Sequence, residues 1–411
     1  MRTCLDLRQD FPMLKKMVQG YPLIYFDSAA TAHKPQSVIT ALTDFYSHHY
    51  GTVHRGVYTT ARDATEMYSQ ARTKVQKFIN AAHPEEIILT RGTTASLNLL
   101  ARSFGERFVR PGQAIMISEI EHHSNIVPWQ MLCEERGAVL RIIPVNDEGE
   151  LIFEAFESLL DEKVKLVSLA HVSNVLGTRH PIKQIIEAAH DVGAYVCVDG
   201  AQAVPHLPLD VQELDVDFYA FSGHKLYGPT GIGILYGKQE LLEKLPPLEG
   251  GGDMIEQVTL EKTTYGRLPL KFEAGTPMIA EAIGLGAAID YLAEIGMETI
   301  QSWEQELLLY ATKKLSQIPN LRMLGTAKEK GAIITFVIKG VHSLDLATLL
   351  DCRGVAIRTG HHCSQPALDR FGLTTSARLS FGLYNTFDEV DQFFSILSDV
   401  LDILVDNYSR L

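Results

Sequence analysis

Residues 221–233 read FSGHKLYGPTGIG and place a single lysine, Lys225, after an apolar run and ahead of Gly and Pro. The apolar run 216–222 predicts a strand, so Lys225 is expected just past the carboxyl end of that strand. A lysine in such a desolvating position can hold a carbonyl compound as a Schiff base. The segment therefore predicts a strand-to-loop junction that carries a carbonyl-binding amine.

A second charged residue, Asp199, closes the apolar run 194–199 upstream of Lys225. A carboxylate at such a position is costly unless a positive group meets it. A protonated pyridine nitrogen would serve, and the pair would keep that ring electron-accepting. The alternative interpretation is a helix N-cap ahead of residues 201–203. Together, Lys225 and Asp199 indicate pyridoxal 5'-phosphate (PLP) as a cofactor.

Short apolar runs alternate with amphipathic stretches over the first two thirds of the chain. Strands are predicted at 87–89, 114–118, 139–143, 165–170, 194–199, 216–222 and 232–236, and helices between them at 95–104, 125–136 and 182–192 among others. This β-then-α rhythm predicts an α/β fold with a mostly parallel, seven-stranded sheet that is covered on both faces. In such sheets, ligands bind at the carboxyl ends of the strands.

The pattern changes after Pro277. One or two long helices are predicted from about 279 to 318, followed by strands near 333–338, 355–358 and 377–381 and helices at 344–352 and 387–404. This change predicts a smaller α+β domain. We expect a large PLP-binding domain at 23–290 and a small domain that combines 1–22 with 291–411 and carries Cys363; the first 20 residues or so are expected to pack on the small lobe.

Composition limits the possible partners and locations. The chain has 411 residues, 46% of them hydrophobic, and a formal net charge of −13. The negative charge argues against binding to nucleic acid. The absence of a long apolar run and of a targeting-type N-terminal segment leads us to expect a cytoplasmic protein without membrane contact. The five cysteines form no C-x-x-C pair, so neither a disulfide framework nor a metal site is predicted.

Several polar residues follow predicted strands and are candidates for the same site. Thr93 and Thr94 open a helix after the strand 87–89, so they could bind a phosphate with the help of the helix dipole, or Thr could act as an N-cap. His122 could stack on a planar ring or be an ordinary histidine without a site role. Asn174 could contact the phenolic oxygen of the ring or a substrate carboxylate, or form a turn.

Residues 358–366 read RTGHHCSQP and place Cys363 in a loop after a strand and a glycine. Arg358 and two histidines lie nearby and can favour the thiolate, which indicates a reactive cysteine rather than an incidental buried thiol. Arg378 is a charge within the apolar run 377–381 and must find an anion. A substrate carboxylate or an internal salt bridge would satisfy it.

Taken together, these motifs resemble the class V, fold type I PLP enzymes and, among them, the group II cysteine desulfurases similar to SufS. The resemblance covers nearly the whole chain and rests on segments 27–30, 53–56, 91–94, 121–129, 171–177, 198–203, 222–233, 272–277 and 358–363. The matching segments are numerous and ordered along the chain, so coincidence is an implausible explanation.

The resemblance implies a role for each matching residue. PLP would be bound covalently by Lys225, with Asp199 on the ring nitrogen, Gln202 on the phenolic oxygen and His122 stacked on the ring. Further cofactor contacts, mostly to the phosphate, would come from Thr93, Thr94, Ser222, His224 and, from the other subunit of a homodimer, Thr276. Substrate would be bound by Arg378, Asn174 and Arg358, with Arg55 near the site of the partner subunit. Cys363 would accept the sulfur.

The implied activity is the removal of sulfur from L-cysteine, which gives L-alanine and a persulfide on Cys363 for iron–sulfur cluster assembly in a SUF system. The implied acceptor is a protein of the SufE or SufU type, and L-selenocysteine is a further expected substrate. His342 could contribute to a zinc-dependent contact with a SufU-type partner or simply cap a helix. The rival functions are a selenocysteine lyase, another PLP lyase or aminotransferase, and a scaffold protein that has lost its cofactor.

Overall fold

The structure is a computed structural model that describes residues 4–408. The first three and the last three residues of the predicted small domain lie outside this range. The strands are β1 Met17–Val18, β2 Tyr21–Pro22, β3 Ile24–Tyr25, β4 Ile87–Thr90, β5 Ala114–Ser118, β6 Val139–Ile143, β7 Val164–Ala170, β8 Tyr195–Asp199, β9 Phe218–Ser222, β10 Gly233–Gly237, β11 Ile255–Val258, β12 Thr263–Tyr265, β13 Leu321–Leu324, β14 Ile333–Ile338, β15 Val355–Ala356, β16 Arg358–Gly360 and β17 Ser376–Ser380.

The helices follow the same chain order. They are α1 Cys4–Leu7, α2 Gln36–Asp44, α3 Thr59–Phe78, α4 Thr93–Phe108, α5 Val127–Arg136, α6 Phe153–Leu159, α7 Ile182–Asp191, α8 Val211–Leu214, α9 Gln239–Lys244, α10 Ile279–Ile295, α11 Met297–Leu315, α12 Ser343–Asp351, α13 Gln365–Arg370 and α14 Phe387–Tyr408. Within residues 4–408, no helix is both long enough and apolar enough to cross a bilayer.

The large sheet contains seven strands in the order β4-β10-β9-β8-β7-β5-β6. Strands β5 to β9 pair in parallel, whereas β10 is antiparallel to both β9 and β4. The connection from β9 to β10 is too short for a crossover, because parallel neighbours need a dozen or more connecting residues. The predicted α/β fold with a mostly parallel, seven-stranded sheet is confirmed.

Both faces of the large sheet are covered. On one face α4 and α5 pack through apolar residues such as Leu100, Phe104 and Trp129. On the other face the core includes residues of α3, α7 and α10, such as Val75 and Ile185. Burial on both faces explains why the central strands are continuous apolar runs rather than alternating ones. It is also the reason why they could be predicted from the sequence.

A second, four-stranded antiparallel sheet has the order β13-β14-β17-β16 and packs against α11, α12 and α14. The predicted long helical segment is two helices, α10 and α11, separated by Gly296 at φ +89°. The strand predicted at 355–358 is divided, since β15 pairs with β3 and β16 pairs with β17. Strand β13 and helix α13 were not predicted.

The N-terminal segment contacts both parts of the chain. Phe11 lies in the core of the large sheet, with its ring centroid 6.0 Å from that of Tyr227 and 4.9 Å from that of Tyr384. Arg8 forms an ion pair of 2.7 Å with Glu389 of α14. The segment therefore does not pack on the small lobe alone. The proposed division into 23–290 and 1–22 with 291–411 stays a prediction.

Candidate active site

A cavity opens at the carboxyl ends of β7, β8 and β9 and is closed on its other side by the loop after β16. It is lined by twelve of the fourteen predicted site residues, namely Thr93, Thr94, His122, Asn174, Asp199, Gln202, Ser222, His224, Lys225, Arg358, Cys363 and Arg378. The sequence expectation that these side chains meet is therefore consistent with the geometry. The two remaining residues, Arg55 and Thr276, lie elsewhere.

Lys225 and Asp199 reach this cavity from neighbouring strands. Asp199 is the last residue of β8 and is paired in register with Ala220 of β9, and the chain turns after Ser222 to present Lys225. Desolvation lowers the pKa of Lys225 to about 8, although Asp199 acts in the opposite direction. Burial raises the pKa of Asp199, which an amide hydrogen bond from Ala201 and the charge of Lys225 oppose.

Two of the hydroxyl groups expected to hold a phosphate, those of Thr93 and Ser222, form a hydroxyl group cluster at the start of α4. The N-cap position is occupied by Gly92 at φ +146°, so neither threonine is the cap. The Thr93 backbone N–H donates to Ser222 Oγ at 2.8 Å, and the two hydroxyl oxygens of these residues lie 2.7 Å apart. The first amides of a helix have no partner within the helix, which makes this terminus suitable for an anion.

A glycine at the start of β10 permits this arrangement. A Cβ atom at Gly233 would lie 2.3 Å from the Cα of Gly92, so any side chain there would displace the turn ahead of α4. The close approach of the two backbones brings the end of β9 next to the helix terminus. Gly233, the last residue of the segment 221–233, is therefore required by this close contact and not by backbone flexibility.

His122 is held as a neutral ring beside the cavity. Desolvation, reinforced by the nearby charge of Lys225, lowers the pKa of His122 to about 3. Its Nδ1 accepts a hydrogen bond from the Ser124 backbone N–H at 3.1 Å and lies 2.7 Å from the hydroxyl oxygen of Ser124. With Nδ1 as acceptor, Nε2 carries the hydrogen. A neutral imidazole in a fixed orientation is suitable for packing on a planar ring.

Gln202 contributes spare hydrogen-bonding capacity to the cavity. Its Nε2 donates to the carbonyl oxygen of Ala29 at 2.6 Å, whereas its buried Oε1 has no partner among the described residues. A buried acceptor without a partner is costly, so a bound polar ligand would stabilise it. This orphaned acceptor, together with Lys225, Asp199 and the hydroxyl group cluster, fits a planar ligand that carries a hydroxyl donor, a carbonyl group, a cationic nitrogen and an anion.

Cys363 lies in a loop with an unusual backbone. Both His362 and Cys363 have positive φ values, +53° and +56°, which non-glycine residues adopt only when their surroundings hold them. The His123 backbone N–H donates to the carbonyl oxygen of Cys363 at 2.8 Å, and Asn174 Nδ2 donates to that of His362 at 2.7 Å. The loop is therefore fastened on both sides of the thiol, which is partly exposed to the cavity.

Arg378 is partly satisfied within the protein. Its Nη2 forms an ion pair of 3.0 Å with Asp27, and its Nη1 donates to the backbone oxygen of Asn174 at 2.8 Å. The internal salt bridge that the sequence left open is thus present. Within the described part of the chain, however, the buried Nε has no partner. Burial lowers the pKa of Arg378 and raises that of Asp27.

Arg55 and Thr276 do not contribute to the cavity of their own chain. Arg55 is exposed and pairs with Asp253 at 3.1 Å. Thr276 lies in a separate cavity with Arg91 and Glu249. Their expected role at the site of a partner subunit stays a prediction. Among residues 4–408, no group of three or more His, Cys, Asp or Glu side chains is arranged to hold a metal ion.

Comparison with known proteins agrees with this geometry. Residues 24–393 match the model of the family described as Aminotransferase class-V. The chain belongs to the class-V aminotransferase family. The cofactor of this family is PLP, and the cavity has the donors that PLP requires.

The class-V chain is similar to proteins named cysteine desulfurase over nearly its whole length. It is 51% identical over 387 residues to the cysteine desulfurase of Dickeya dadantii, and the match covers 94% of each chain. The crystal structure of the cysteine desulfurase CsdA (S-sulfonic acid) from Escherichia coli has a TM-score of 0.91 at 40% identity, covering 98% of this chain and 99% of that one. The apo cysteine desulfurase of Thermococcus onnurineus gives 0.93 at 36% identity, with the same coverage.

The lengths of the relatives differ. In three other curated relatives, at 48 to 50% identity, the class-V chain spans only 56 to 65% of the length of the relative. The match therefore leaves more than a third of each of those relatives uncovered.

Sequence reasoning overlooked one buried acid, Glu121, which lies beside the candidate site, next to His122. Glu121 accepts hydrogen bonds from Ser118 Oγ at 2.5 Å, Asn125 Nδ2 at 2.7 Å and the Ala170 backbone N–H at 2.9 Å. Desolvation raises the pKa of Glu121 to about 7 despite these bonds. The available signal was an acid next to His122, three residues after the apolar strand β5, which is weaker than the signal of Asp199 at the end of β8.

Proposed function

We propose that this protein is a PLP-dependent cysteine desulfurase that converts L-cysteine to L-alanine and leaves a persulfide on Cys363. The observation that carries the proposal is that Lys225 and Cys363, far apart in the sequence, line the same cavity. An amine with a lowered pKa and a partly exposed thiol are the two reactive groups that the reaction needs. The similarity to proteins named cysteine desulfurase supports the same activity.

PLP, when bound, supplies an electron-accepting ring that makes the substrate α-carbon acidic. The residues of the chain would divide the remaining work. Lys225 would hold the cofactor at its amine and, when freed as a neutral base, move the proton of the α-carbon. Asp199 would keep a positive charge on the ring nitrogen. His122 would pack on the ring, Gln202 would bind its phenolic oxygen, and the hydroxyl group cluster would bind the phosphate together with Thr94 and His224.

Cys363 would carry out the sulfur transfer. Its thiolate attacks the sulfur of the substrate, a sulfur–sulfur bond forms, and the carbon–sulfur bond breaks with its electron pair passing to the carbon skeleton. Protonation of the carbon that carried the sulfur completes alanine. The net reaction, L-cysteine plus the thiol of Cys363 giving L-alanine plus the persulfide, is balanced without an external oxidant or reductant.

Substrate binding would use the two arginines of the cavity. The unpartnered Nε of Arg378 and the side chain of Arg358 could receive the substrate carboxylate, with Asn174 at its side. The ion pair with Asp27 would then orient Arg378 rather than neutralise it completely. We propose these contacts from the lining of the cavity and from the resemblance together.

The finer assignment is also proposed. The short segment 358–363, which consists of β16 and the start of the Cys363 loop, supports a SufS-like, group II enzyme that passes sulfur to a SufE- or SufU-type acceptor for iron–sulfur cluster assembly. A homodimer is supported by the positions of Arg55 and Thr276 outside the cavity of their own chain. Activity on L-selenocysteine, a contact of His342 with the acceptor and a cytoplasmic location stay predictions from the sequence.

The activity can be tested with the PLP-loaded protein. L-Cysteine in the presence of a reducing thiol is expected to give alanine and sulfide in equal amounts over many turnovers. Parallel assays with L-selenocysteine would measure which substrate is preferred. Release of alanine from L-selenocysteine but not from L-cysteine would support the rival lyase function, and no reaction with either would reject the proposal.

The lowered pKa of Lys225 predicts a pH dependence that can be measured without turnover. In the cofactor-free protein, reductive methylation of Lys225 should rise with pH and level off above a midpoint of about 8, because only the neutral amine reacts. Exposed lysines should reach this plateau about two pH units higher.

The variant Asp199→Asn tests the cause of this shift. It removes the charge that opposes desolvation, so the midpoint of Lys225 is expected to fall further. Peptide mass spectrometry would follow the methylation of Lys225 and of the exposed lysines in one sample. A Lys225 midpoint near 10, the value of a free lysine, would contradict the desolvated environment.

A further inference from the structure

Ser364, which directly follows Cys363 in the chain, is fully buried. Its Oγ donates to Oδ1 of Asn174 at 3.0 Å. Asn174 Nδ2 donates in turn to the carbonyl oxygen of His362 at 2.7 Å. One carboxamide thus binds the residue before Cys363 and the residue after it. We propose that Ser364 is a positioning residue for sulfur transfer, an inference that rests on the proposed function.

The hydroxyl group of Ser364 determines which way the carboxamide of Asn174 points. A side-chain amide can be turned so that its oxygen and nitrogen exchange places. A donor at Oδ1 and an acceptor at Nδ2 together select one of these two orientations. Without the hydroxyl group, Oδ1 would be a buried acceptor with no donor, and the orientation that holds His362 would lose half of its support.

The two hydrogen bonds that join Ser364, Asn174 and His362 form a tie, which matters because the backbone of the loop is strained. His362 and Cys363 both lie in the left-handed region, and such a pair persists only where neighbouring contacts hold it. Asn174 follows β7 of the large sheet, and its backbone oxygen also accepts from Arg378. The tie therefore connects the cysteine loop to the strand ends where Lys225 lies, and it sets the direction in which the thiol points.

Other contacts hold different parts of the loop. His362 Nε2 lies 3.0 Å from Ser376 Oγ, and the Gln365 backbone N–H donates to His123 Nε2 at 3.1 Å. These bonds would keep the loop folded when the hydroxyl group of Ser364 is removed. The expected defect is therefore a misdirected thiol, not a lost loop.

The test compares Ser364→Ala with Ser343→Ala, a matched control that removes another buried serine hydroxyl at the start of α12. In the PLP-loaded protein, Ser364→Ala should lower kcat for L-cysteine about 10-fold and change KM less than about twofold, since sub-ångström misplacement of a reacting group acts on the chemical step. Ser343→Ala should behave like the wild type. If the role of Ser364 were purely structural, Ser364→Ala would not lower kcat while leaving KM nearly unchanged.

A second measurement needs no turnover. Cys352 is exposed and serves as an internal reference for alkylation by iodoacetamide. The ratio of Cys363 to Cys352 alkylation should rise about threefold in Ser364→Ala, because a loosened loop exposes its thiol more often. If the wild type formed no alanine, the proposed function would fail, but this ratio would still test the tie.

A double-mutant cycle tests the route through Asn174. In an Asn174→Ala background, Ser364→Ala should cause no further change in kcat or in the alkylation ratio, because the partner of the hydroxyl group is gone. Additive effects of the two substitutions would overturn the proposal. So would a wild-type kcat and an unchanged alkylation ratio in Ser364→Ala.

Discussion

Lys225→Ala is expected to abolish turnover of L-cysteine, a loss of about 10⁴-fold or more, because in the proposed mechanism one amine both holds the cofactor and moves the α-proton. Borohydride reduction of the PLP-loaded wild type should fix the cofactor on the peptide that contains Lys225. The variant should show no such label. A fully active variant would reject the mechanism, whereas an unlabelled wild type would favour a scaffold protein without cofactor.

The chain offers a matched control for this experiment. Lys330 is a second desolvated lysine, and burial lowers its pKa to about 8 as well. It lies in another cavity, lined by Arg179, His206 and Glu304 among others, away from the strand ends that hold Lys225. Lys330→Met should retain activity and borohydride labelling. Equal losses of activity in both variants would show that the effect does not depend on the position of Lys225 at the end of β9.

Cys363→Ala is expected to lower alanine formation from L-cysteine by about 10²-fold or more, since the nucleophile that receives the sulfur is removed. Cofactor binding should be unchanged, because Lys225 and the hydroxyl group cluster at α4 belong to other elements. Cys352→Ala removes an exposed thiol outside the cavity and should stay within about twofold of the wild type.

The same variant separates the proposed function from its nearest rival. A selenocysteine lyase or another PLP lyase on this scaffold would not need the thiol. If Cys363→Ala formed alanine from L-cysteine at the wild-type rate, the rival would be favoured and the persulfide would be excluded as an intermediate. The assay should therefore measure alanine and protein-bound sulfur in the same sample.

Much of the fold could be predicted because its central elements are buried on both sides. Strands such as β8 and β9 are apolar runs up to their last residue, and the polar residues that end them, Asp199 and Ser222, marked the candidate site. The edge strand β13 was missed because it is only partly buried and contains Arg322, which weakens its apolar pattern. The division of the strand predicted at 355–358 depends on pairing with β3, which no local pattern encodes.

The candidate site was predictable where a residue has a chemical reason to follow a strand. This applies to Lys225, Asp199 and His122. The partners of Arg378 and Asn174 were not predictable, since Asp27 and Ser364 are distant from them in the sequence and meet them only in the folded chain. The roles of Arg55 and Thr276 depend on a second subunit, which a single chain does not show.

The most direct test of the account is the mass of the Cys363 peptide after brief treatment of the PLP-loaded protein with L-cysteine, without a reducing thiol. We predict one additional sulfur atom on Cys363, formed in equal amount with alanine, and neither product in Lys225→Ala. Alanine formed without added sulfur on this peptide, or sulfur added instead to Cys352, would contradict the convergence of the amine and the thiol on one substrate.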